Sequence, residues 1–286
     1  MHDIYGRFLR TGKRQGGGVM KKVIKGLVIA VAIGFIYAPI ILLFVYSFTP
    51  SKIIGRWEGF SLELYRQLFT VPKLRGMIVD TVVLALLAAT ISTIIGTLGA
   101  IGIFYNKKWL GKFTKTASQI PVINAEIVTA ISLALVFALV SMGRSYASLL
   151  IGHIVLCTPF VVLSVLPKLK QLDPSLYEAA LDLGATPFQA LTKIILPEIL
   201  PGIFSGFMLA ITLSLDDYMI SAYTKPAELE TISTYVFGAL KKPKTSYLPA
   251  LRALSSLIFI IMIVAVLAMD FKVSRAAKKN KLAINK

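Results

Sequence analysis

Residues 173–197 read Asp-Pro-Ser-Leu-Tyr-Glu-Ala-Ala-Leu-Asp-Leu-Gly-Ala-Thr-Pro-Phe-Gln-Ala-Leu-Thr-Lys-Ile-Ile-Leu-Pro and join two long apolar blocks. The start of this segment predicts a short helix, because Asp173 can cap it and Pro174 suits the first helical position, where its missing N–H costs nothing. Gly184 can adopt the left-handed conformation that commonly follows the end of a helix. We therefore expect one helix between Asp173 and Gly184.

A second helix is predicted directly after this glycine. Thr186 is a suitable cap, Pro187 fits the first turn, and Gln189 completes a capping box with the threonine. Pro197 is expected to end or kink this helix before the next apolar block. The segment is thus a helix–glycine–helix unit, which is more structure than a connection between two helices needs.

Several side chains of this unit are suited to contact another protein. Two are small, so that a second surface can come close, and four are large and apolar in a unit too short to bury them. They are Ala179, Ala180, Leu176, Leu181, Leu183 and Phe188. This pattern favours a docking element for a partner protein, and residues 173–197 are called the docking segment below. An ordinary amphipathic loop at a membrane surface is the alternative.

Long apolar blocks dominate the rest of the chain. Of the 286 residues 56% are hydrophobic, and the mean hydropathy is +0.75. Blocks of about 20 apolar residues are long enough to cross a bilayer as helices. We predict an all-α polytopic membrane protein with six transmembrane helices, at about 23–48, 77–105, 119–142, 147–167, 198–222 and 250–270. In the second span, Gly96, Gly99 and Gly102 predict close helix packing.

Lysine and arginine residues are concentrated on one side of this predicted bundle. They lie in the tails at 1–22 and 271–286, in the loop between the second and third spans, and in the loop at 168–200 that contains the docking segment. Because positive residues favour the inner face of a membrane, both termini are predicted to be cytoplasmic, on either side of a permease domain at 23–270. The net charge of +17 is explained in the same way, and no nucleic-acid partner is expected.

The sequence contains no recognisable set of residues for catalysis or for metal binding. Cys157 is the one cysteine, which excludes a disulfide framework and a cysteine-based metal site. The histidines, His2 and His153, are far apart in sequence. His153 and Cys157 are interpreted as packing residues of the fourth span. We therefore expect no catalytic residue and no metal.

One motif in the docking segment resembles that of a known family. It consists of Glu178, Ala179, Ala180, Gly184, Ile194, Leu196 and Pro197. The spacing is similar to the EAA motif of permeases in bacterial ATP-binding-cassette (ABC) importers of type I, which share a MetI-like fold. The resemblance implies that these residues form coupling helices that sit in a groove of a cytoplasmic ATPase. The sequence has no phosphate-binding G-x-x-x-x-G-K-[ST] motif. We therefore expect that the chain is not an enzyme, that it binds no cofactor, and that the ATPase binds ATP and Mg²⁺.

Three further stretches, at 60–69, 120–133 and 213–221, resemble the C-type permease of spermidine/putrescine importers. This resemblance implies a multi-pass protein of the bacterial inner membrane that takes up polyamines by alternating access. The implied partners are two cytoplasmic ATPase subunits, a second homologous permease of the B type, an extracytoplasmic substrate-binding protein and the lipid bilayer. Asp80 departs from the pattern, because asparagine is expected there in this group.

Acidic residues in the predicted spans favour a cationic substrate, because a carboxylate inside a membrane usually marks a functional site. They are Asp216 and Asp217 toward the external end of the fifth span, Glu126 about two turns from the cytoplasmic end of the third, and Asp80 near the external end of the second. Aromatic faces attract ammonium groups, and Tyr218, Tyr223 and Tyr235 are the candidates. The carboxylates and these rings are therefore predicted to form the substrate pathway.

Other interpretations stay open from the sequence. Asp80 could complement the positive end of its helix, Glu126 could bond a neighbouring helix, and the Asp216–Asp217 pair could bond or cap helices. The same family could import an iron complex, sulfate, molybdate or another small solute, although no basic residue is expected at depths comparable to those of the four acids, as an anion carrier would require. An ATP-independent secondary transporter should show an inverted repeat, and none is visible.

Overall fold

The computed structural model describes residues 16–51, 53, 55–105, 122, 125–173, 175–241, 249–261, 263–264 and 267–268. Its described residues are almost entirely helical. The helices are α1 (Gly16–Tyr46), α2 (Glu63–Thr70), α3 (Pro72–Tyr105), α4 (Glu126–Leu139), α5 (Tyr146–Leu169), α6 (Ser175–Asp182), α7 (Pro187–Ala190), α8 (Leu196–Asp216), α9 (Met219–Thr224), α10 (Ile232–Lys241) and α11 (Pro249–Ile261). A π-helical turn, Leu191–Ile195, joins α7 to α8.

Long apolar helices confirm part of the predicted membrane topology. Among the described residues, Ile24–Tyr46, Pro72–Tyr105, Tyr146–Leu169 and Pro187–Asp216 are long and apolar enough to cross a membrane. The apolar helices α4 and α11 are shorter. Six spans and cytoplasmic termini therefore stay predictions. Residues 1–15 of the N-terminal tail, the whole C-terminal tail and the whole loop between the second and third predicted spans lie outside the described residues.

The chain divides into two compact units, and each is described separately. The first contains Met1–Arg66 and Pro249–Met262. In it, Arg252 is buried and donates from Nη2 to the carbonyl oxygen of Ser51. The Ser47 and Tyr65 hydroxyl groups lie 2.7 Å apart, and the rings of Phe48 and Phe60 stack at 5.5 Å. Aromatic and polar contacts thus fix the chain that follows α1.

The second unit, Gln67–Leu248 and Ile263–Lys286, is built on α3, α5 and α8. Its helices approach closely at glycines: a Cβ added at Gly96 would lie 2.7 Å from the Cβ of Val161, and one at Gly206 would lie 3.2 Å from Val161 Cγ1. The packing prediction is confirmed for Gly96. It is not confirmed for Gly102, because among the described residues nothing lies within 4 Å of a Cβ added there and the glycine is exposed.

The contacts between these three helices give their directions. Ser92 donates to the carbonyl oxygen of Ile154 at 3.3 Å and Gly96 meets Val161, so α3 and α5 are parallel. Cys157 Sγ donates to the Ala210 carbonyl oxygen at 3.4 Å, while a Cβ at Gly202 would meet Lys168, so α8 is antiparallel to α5. The bundle therefore has a docking end, which carries the docking segment, and an opposite end where α8 stops.

The helix boundaries correct two predictions. Pro197 does not end the second helix of the docking segment, because the π-helical turn before it carries the chain into α8; the alternative that it kinks the helix stays a prediction. In this turn the Leu196 N–H donates to the Leu191 carbonyl oxygen, and the wider turn accommodates a proline that would otherwise press on a carbonyl. Glu126 is the first residue of α4, because Ala125 is extended, and does not lie two turns inside a helix.

Candidate functional site

The first helix of the docking segment, α6, is capped as the sequence predicts. Asp173 Oδ1 accepts from the backbone N–H of Ser175 at 2.9 Å and from its hydroxyl at 2.8 Å. The backbone bond and then the hydroxyl bond lower the pKa of the Asp173 carboxyl below its ordinary value, because both favour the charged form. Pro174 lies outside the described residues. The start of α6 is thus determined by local chemistry.

The turn between α6 and α7 also confirms the prediction. Gly184 has a φ of +85°, in the left-handed region, and the Ala185 N–H donates to the Ala180 carbonyl oxygen at 3.0 Å. Thr186 Oγ1 accepts from the Gln189 N–H at 3.3 Å, and Gln189 Oε1 accepts from the Thr186 N–H at 3.0 Å. This reciprocal pair is the predicted capping box, and Pro187 follows the cap.

One face of the docking segment is fixed to the bundle. Ala180, Ala190 and Ile195 are buried, and Ile195 belongs to the same core cluster as Leu169. The rings of Tyr105, at the end of α3, and Tyr177 lie 5.1 Å apart. Ala180 therefore packs against this chain, which corrects the idea that both alanines admit a partner. The segment is thus packed against the ends of α3 and α5.

The other face of the segment is open. Leu183 and Phe188 are 89% and 74% exposed, and Glu178 and Ala179 are also exposed. Beside them, a cavity of about 490 Å³ is lined by Phe104, Tyr105, Leu172, Asp173, Tyr177, Glu178, Leu181 and Ile195. Among the other EAA-motif residues, Ile194 and Leu196 are half-buried and Pro197 is exposed. Leu183 and Phe188 thus project from a segment whose other face is packed against the bundle.

At the opposite end of the bundle the helix is broken. The sequence predicts a continuous span at 198–222, but α8 ends at Asp216, Asp217 is extended (φ −63°, ψ 121°) and α9 begins at Met219. The Asp217 carboxylate accepts from the N–H groups of Ile220 at 3.2 Å and Ser221 at 2.8 Å. Asp217 therefore caps α9, and residues 217–218 are called the helix break.

His153 of α5 connects both sides of this break. Its Nδ1 lies 2.7 Å from Ser214 Oγ, before the break, and its Nε2 lies 3.0 Å from Ser221 Oγ, after it. Nε2 also lies 3.5 Å from Asp217 Oδ2, and the histidine is fully buried. His153 therefore forms a polar network that the sequence interpretation as a packing residue missed. A histidine inside an apolar span was the available signal.

The two adjacent aspartates, Asp216 and Asp217, differ in burial and in hydrogen bonding. Asp217 is 6% exposed and engaged in capping, whereas Asp216 is exposed. Tyr218 stacks on Phe237 with ring centroids 4.0 Å apart, and Tyr223 is partly exposed. Only Asp216, Asp217 and Tyr218 of the predicted pathway residues adjoin the break.

The two other predicted acids lie on separate helices. Asp80 is exposed on α3, and Glu126 is exposed at the start of α4, whose Ala130 packs in one cluster with Ile220 of α9. In the part of the chain that the structure describes, no group of three or more His, Cys, Asp or Glu residues could hold a metal ion.

One family model and two curated relatives match most of this chain. Residues 92–279 match the family model of the "Binding-protein-dependent transport system inner membrane component". The chain is 33% identical over 248 residues to the "Spermidine/putrescine transport system permease protein PotC" of Escherichia coli (strain K12), which covers 86% of this chain and 92% of that protein. It is 32% identical over 234 residues to the "Putrescine transport system permease protein PotI" of the same strain, covering 78% and 81%.

Solved structures share the fold. A bacterial ABC transporter involved in the import of the acidic polysaccharide alginate matches with a TM-score of 0.66 at 19% identity, over 90% of this chain and 96% of that one. The MetNI methionine ABC transporter matches with a TM-score of 0.59 at 18% identity, over 71% of this chain and 95% of that one.

Proposed function

Because the chain belongs to the family of inner membrane components of binding-protein-dependent transport systems, we propose that it is a polyamine permease, the membrane subunit of an ATP-driven importer of spermidine or putrescine. The polyamine substrate is inferred from the 33% identity over 248 residues to a spermidine/putrescine permease. The family confirms the expected all-helical permease fold, the inner-membrane location and the resemblance to polyamine permeases.

The chain is a transport subunit, and partner proteins complete the importer. An extracytoplasmic binding protein delivers the polyamine, in keeping with the family description. Two cytoplasmic ATPase subunits hold ATP and Mg²⁺ and hydrolyse the nucleotide, and this chain holds neither. A second homologous permease of the B type forms the other wall of the pathway. The spans then expose the pathway alternately to the two sides of the membrane.

The docking segment is proposed to receive the motion of the ATPases. Its exposed Leu183 and Phe188 offer apolar contact to a partner, and its buried Ala190 and Ile195 pack into the bundle core. Because packed interiors transmit displacement, a push on the exposed face moves α3, α5 and α8. The docking segment thus has a buried base and an exposed surface, and of the EAA-motif residues Ala180 belongs to the base whereas Glu178 and Ala179 belong to the exposed surface.

The helix break is proposed to be the part of the pathway that meets the substrate. Asp216 is exposed at the end of α8, so its carboxylate is available to a polyamine ammonium group. Asp217 is committed to capping α9 and faces His153. Asp216 is therefore the pathway residue of the pair, and Asp217 shapes the break. Asp80, Glu126 and Tyr223 would act as secondary contacts elsewhere in the pathway.

The two aspartates should respond differently to replacement by asparagine. Asp216→Asn should lower spermidine uptake about tenfold, because it removes one charge-assisted contact, and should leave the amount of folded complex unchanged. Asp217→Asn should lower both quantities, because an amide offers one acceptor where the carboxylate uses two. Radiolabelled putrescine and spermidine uptake, with complex quantified by size-exclusion chromatography, measures both effects.

Glu228→Gln serves as the control, because Glu228 is exposed and has no part in the proposed pathway. Radiolabelled sulfate tests the anion alternative in the same cells. Sulfate uptake in place of polyamine uptake, or wild-type spermidine uptake by Asp216→Asn, would contradict the proposal.

A further inference from the structure

Lys73, in the first turn of α3, places its ammonium group between a carboxylate and an aromatic ring. Its Nζ lies 3.3 Å from Glu230 Oε2 and 5.3 Å from the centroid of the Tyr235 ring. Tyr235 is buried, whereas the side chains of Lys73 and Glu230 are 58% and 43% exposed. The ammonium group of an exposed lysine side chain thus contacts both a buried aromatic ring and a carboxylate.

The chain that carries Glu230 and Tyr235 is tied to the helix break. Ser233 Oγ donates to the Asp217 carbonyl oxygen at 2.6 Å, and Phe237 stacks on Tyr218. The Ile232 N–H donates to Thr81 Oγ1 at 3.0 Å, two turns along α3 from Lys73. Glu230 and Tyr235, which contact the Lys73 ammonium group, therefore belong to the same stretch of chain that bonds to the helix break. This stretch lies at the end of the bundle where α8 stops.

The residues around Lys73 have the chemistry of a polyamine site. A lysine side chain is a primary ammonium group on a flexible four-carbon stem, and putrescine carries a primary ammonium at each end of an alkyl chain of that length. Carboxylates and aromatic faces are the groups that hold alkylammonium ions. The nearby Lys225 is engaged elsewhere, because its Nζ donates to the Leu229 carbonyl oxygen at 2.6 Å. Among the described lysines, Lys73 is the one that pairs with Glu230.

Little energy is needed for an ammonium group of an external polyamine to replace the Lys73 ammonium group. Ion pairs between partly exposed side chains contribute weakly to stability, because water screens them and holding long side chains in place costs entropy. The Tyr235 ring and the Glu230 carboxylate are expected to keep their positions when Lys73 swings out, because the ring and the Oε2 atom of Glu230 are buried. A free polyamine at sufficient concentration would therefore replace Lys73.

We propose that Glu230 and Tyr235 form an entry site for one ammonium group of the polyamine and that Lys73 occupies this site as a built-in stand-in until the substrate displaces it. The proposal rests on the polyamine permease function above. Displacement removes the Lys73–Glu230 contact, while the hydrogen bond from the Ile232 N–H to Thr81 Oγ1 still joins α3 to the chain leading into α10.

Thiol protection in the assembled transporter tests the site. In Lys73→Cys the introduced thiol should react with neutral N-ethylmaleimide, while Cys157 is fully buried. Spermidine should slow this reaction, and sodium chloride of equal ionic strength should not. The protection should be lost when Glu230→Gln is added. Arg75→Cys, at an exposed position on the same helix, is the matched control and should show no protection.

A second variant measures the stand-in role directly. Lys73→Met keeps the alkyl stem and removes the competing charge, so the complex should bind radiolabelled spermidine with a Kd about threefold lower than that of the wild type. Arg56→Gln, which breaks the exposed 3.2 Å pair with Glu58, should leave the Kd unchanged.

The outcomes separate the inference from the function on which it rests. Absence of spermidine protection, or protection that survives Glu230→Gln, overturns the entry site if the wild-type complex imports spermidine. An unchanged or higher Kd in Lys73→Met overturns the stand-in role. If the wild-type complex imports no polyamine at all, the proposed function itself is wrong.

Discussion

Replacing Gly184 by valine should abolish ATP-driven polyamine uptake and release the ATPase subunits from the purified complex. Gly184 has a φ of +85°, and a β-branched residue held there costs about 1–3 kcal/mol. No atom lies within 4 Å of an added Cβ, so the effect comes from the backbone and not from a clash. Valine would therefore shift the turn that positions Leu183 and Phe188. Uptake and ATPase copurification measure the result.

A matched control separates loss of coupling from loss of stability. Gly143 also has a positive φ, of +64°, and open space around it, but it lies between α4 and α5, away from the docking segment. Gly143→Val should introduce comparable strain and keep the ATPases bound. Glu178→Arg should act like Gly184→Val without backbone strain, because Glu178 is exposed on the docking face. Normal ATPase binding in both docking-segment variants would show that the partner docks elsewhere.

The second large effect is expected at His153. His153→Leu removes the buried partner of the Ser214 and Ser221 hydroxyl groups and the imidazole that lies 3.5 Å from Asp217 Oδ2, and replaces it with an apolar side chain. A buried polar group left without a hydrogen-bond partner costs about 1–3 kcal/mol, and His153→Leu affects two buried serine hydroxyl groups, so the variant complex should melt at a clearly lower temperature. Thermal unfolding of the purified complex, followed by the loss of the monodisperse peak, measures this change.

Two further variants test the explanation for His153. Cys157→Ala is also a fully buried change on α5, but it removes only a weak 3.4 Å thiol bond, so it should lower the melting temperature much less. His153→Gln can keep one of the two serine bonds and should recover part of the lost stability. A melting temperature of His153→Leu equal to that of the wild type would contradict the role of the network.

Local chemistry explains which parts of the docking segment were predictable. The cap at Asp173, the left-handed Gly184 and the Thr186–Gln189 box depend on residues within a few positions of one another, and all three are confirmed. The role of Pro197 was not predictable in this way. Whether a proline ends a helix depends on the turn before it, and the widened turn at Leu191–Ile195 has no distinct sequence signature.

Long-range contacts explain what the sequence did not reveal at the opposite end. The apolar pattern continues through residues 198–222, so hydropathy alone favours one span, whereas the break depends on how Asp217 bonds to the next helix. The partners of His153 are 61 and 68 residues away in sequence. The difference between Gly96 and Gly102 likewise depends on whether α5 passes beside each glycine.

Reconstitution of the importer in proteoliposomes tests the central claim most directly. The chain would be purified with the proposed second permease and ATPase subunits, and accumulation of radiolabelled spermidine would be measured with the binding protein on one side and ATP on the other. Accumulation of spermidine is expected to require both ATP and the binding protein. Equal accumulation without nucleotide, or with an ATPase subunit that cannot hydrolyse ATP, would contradict it.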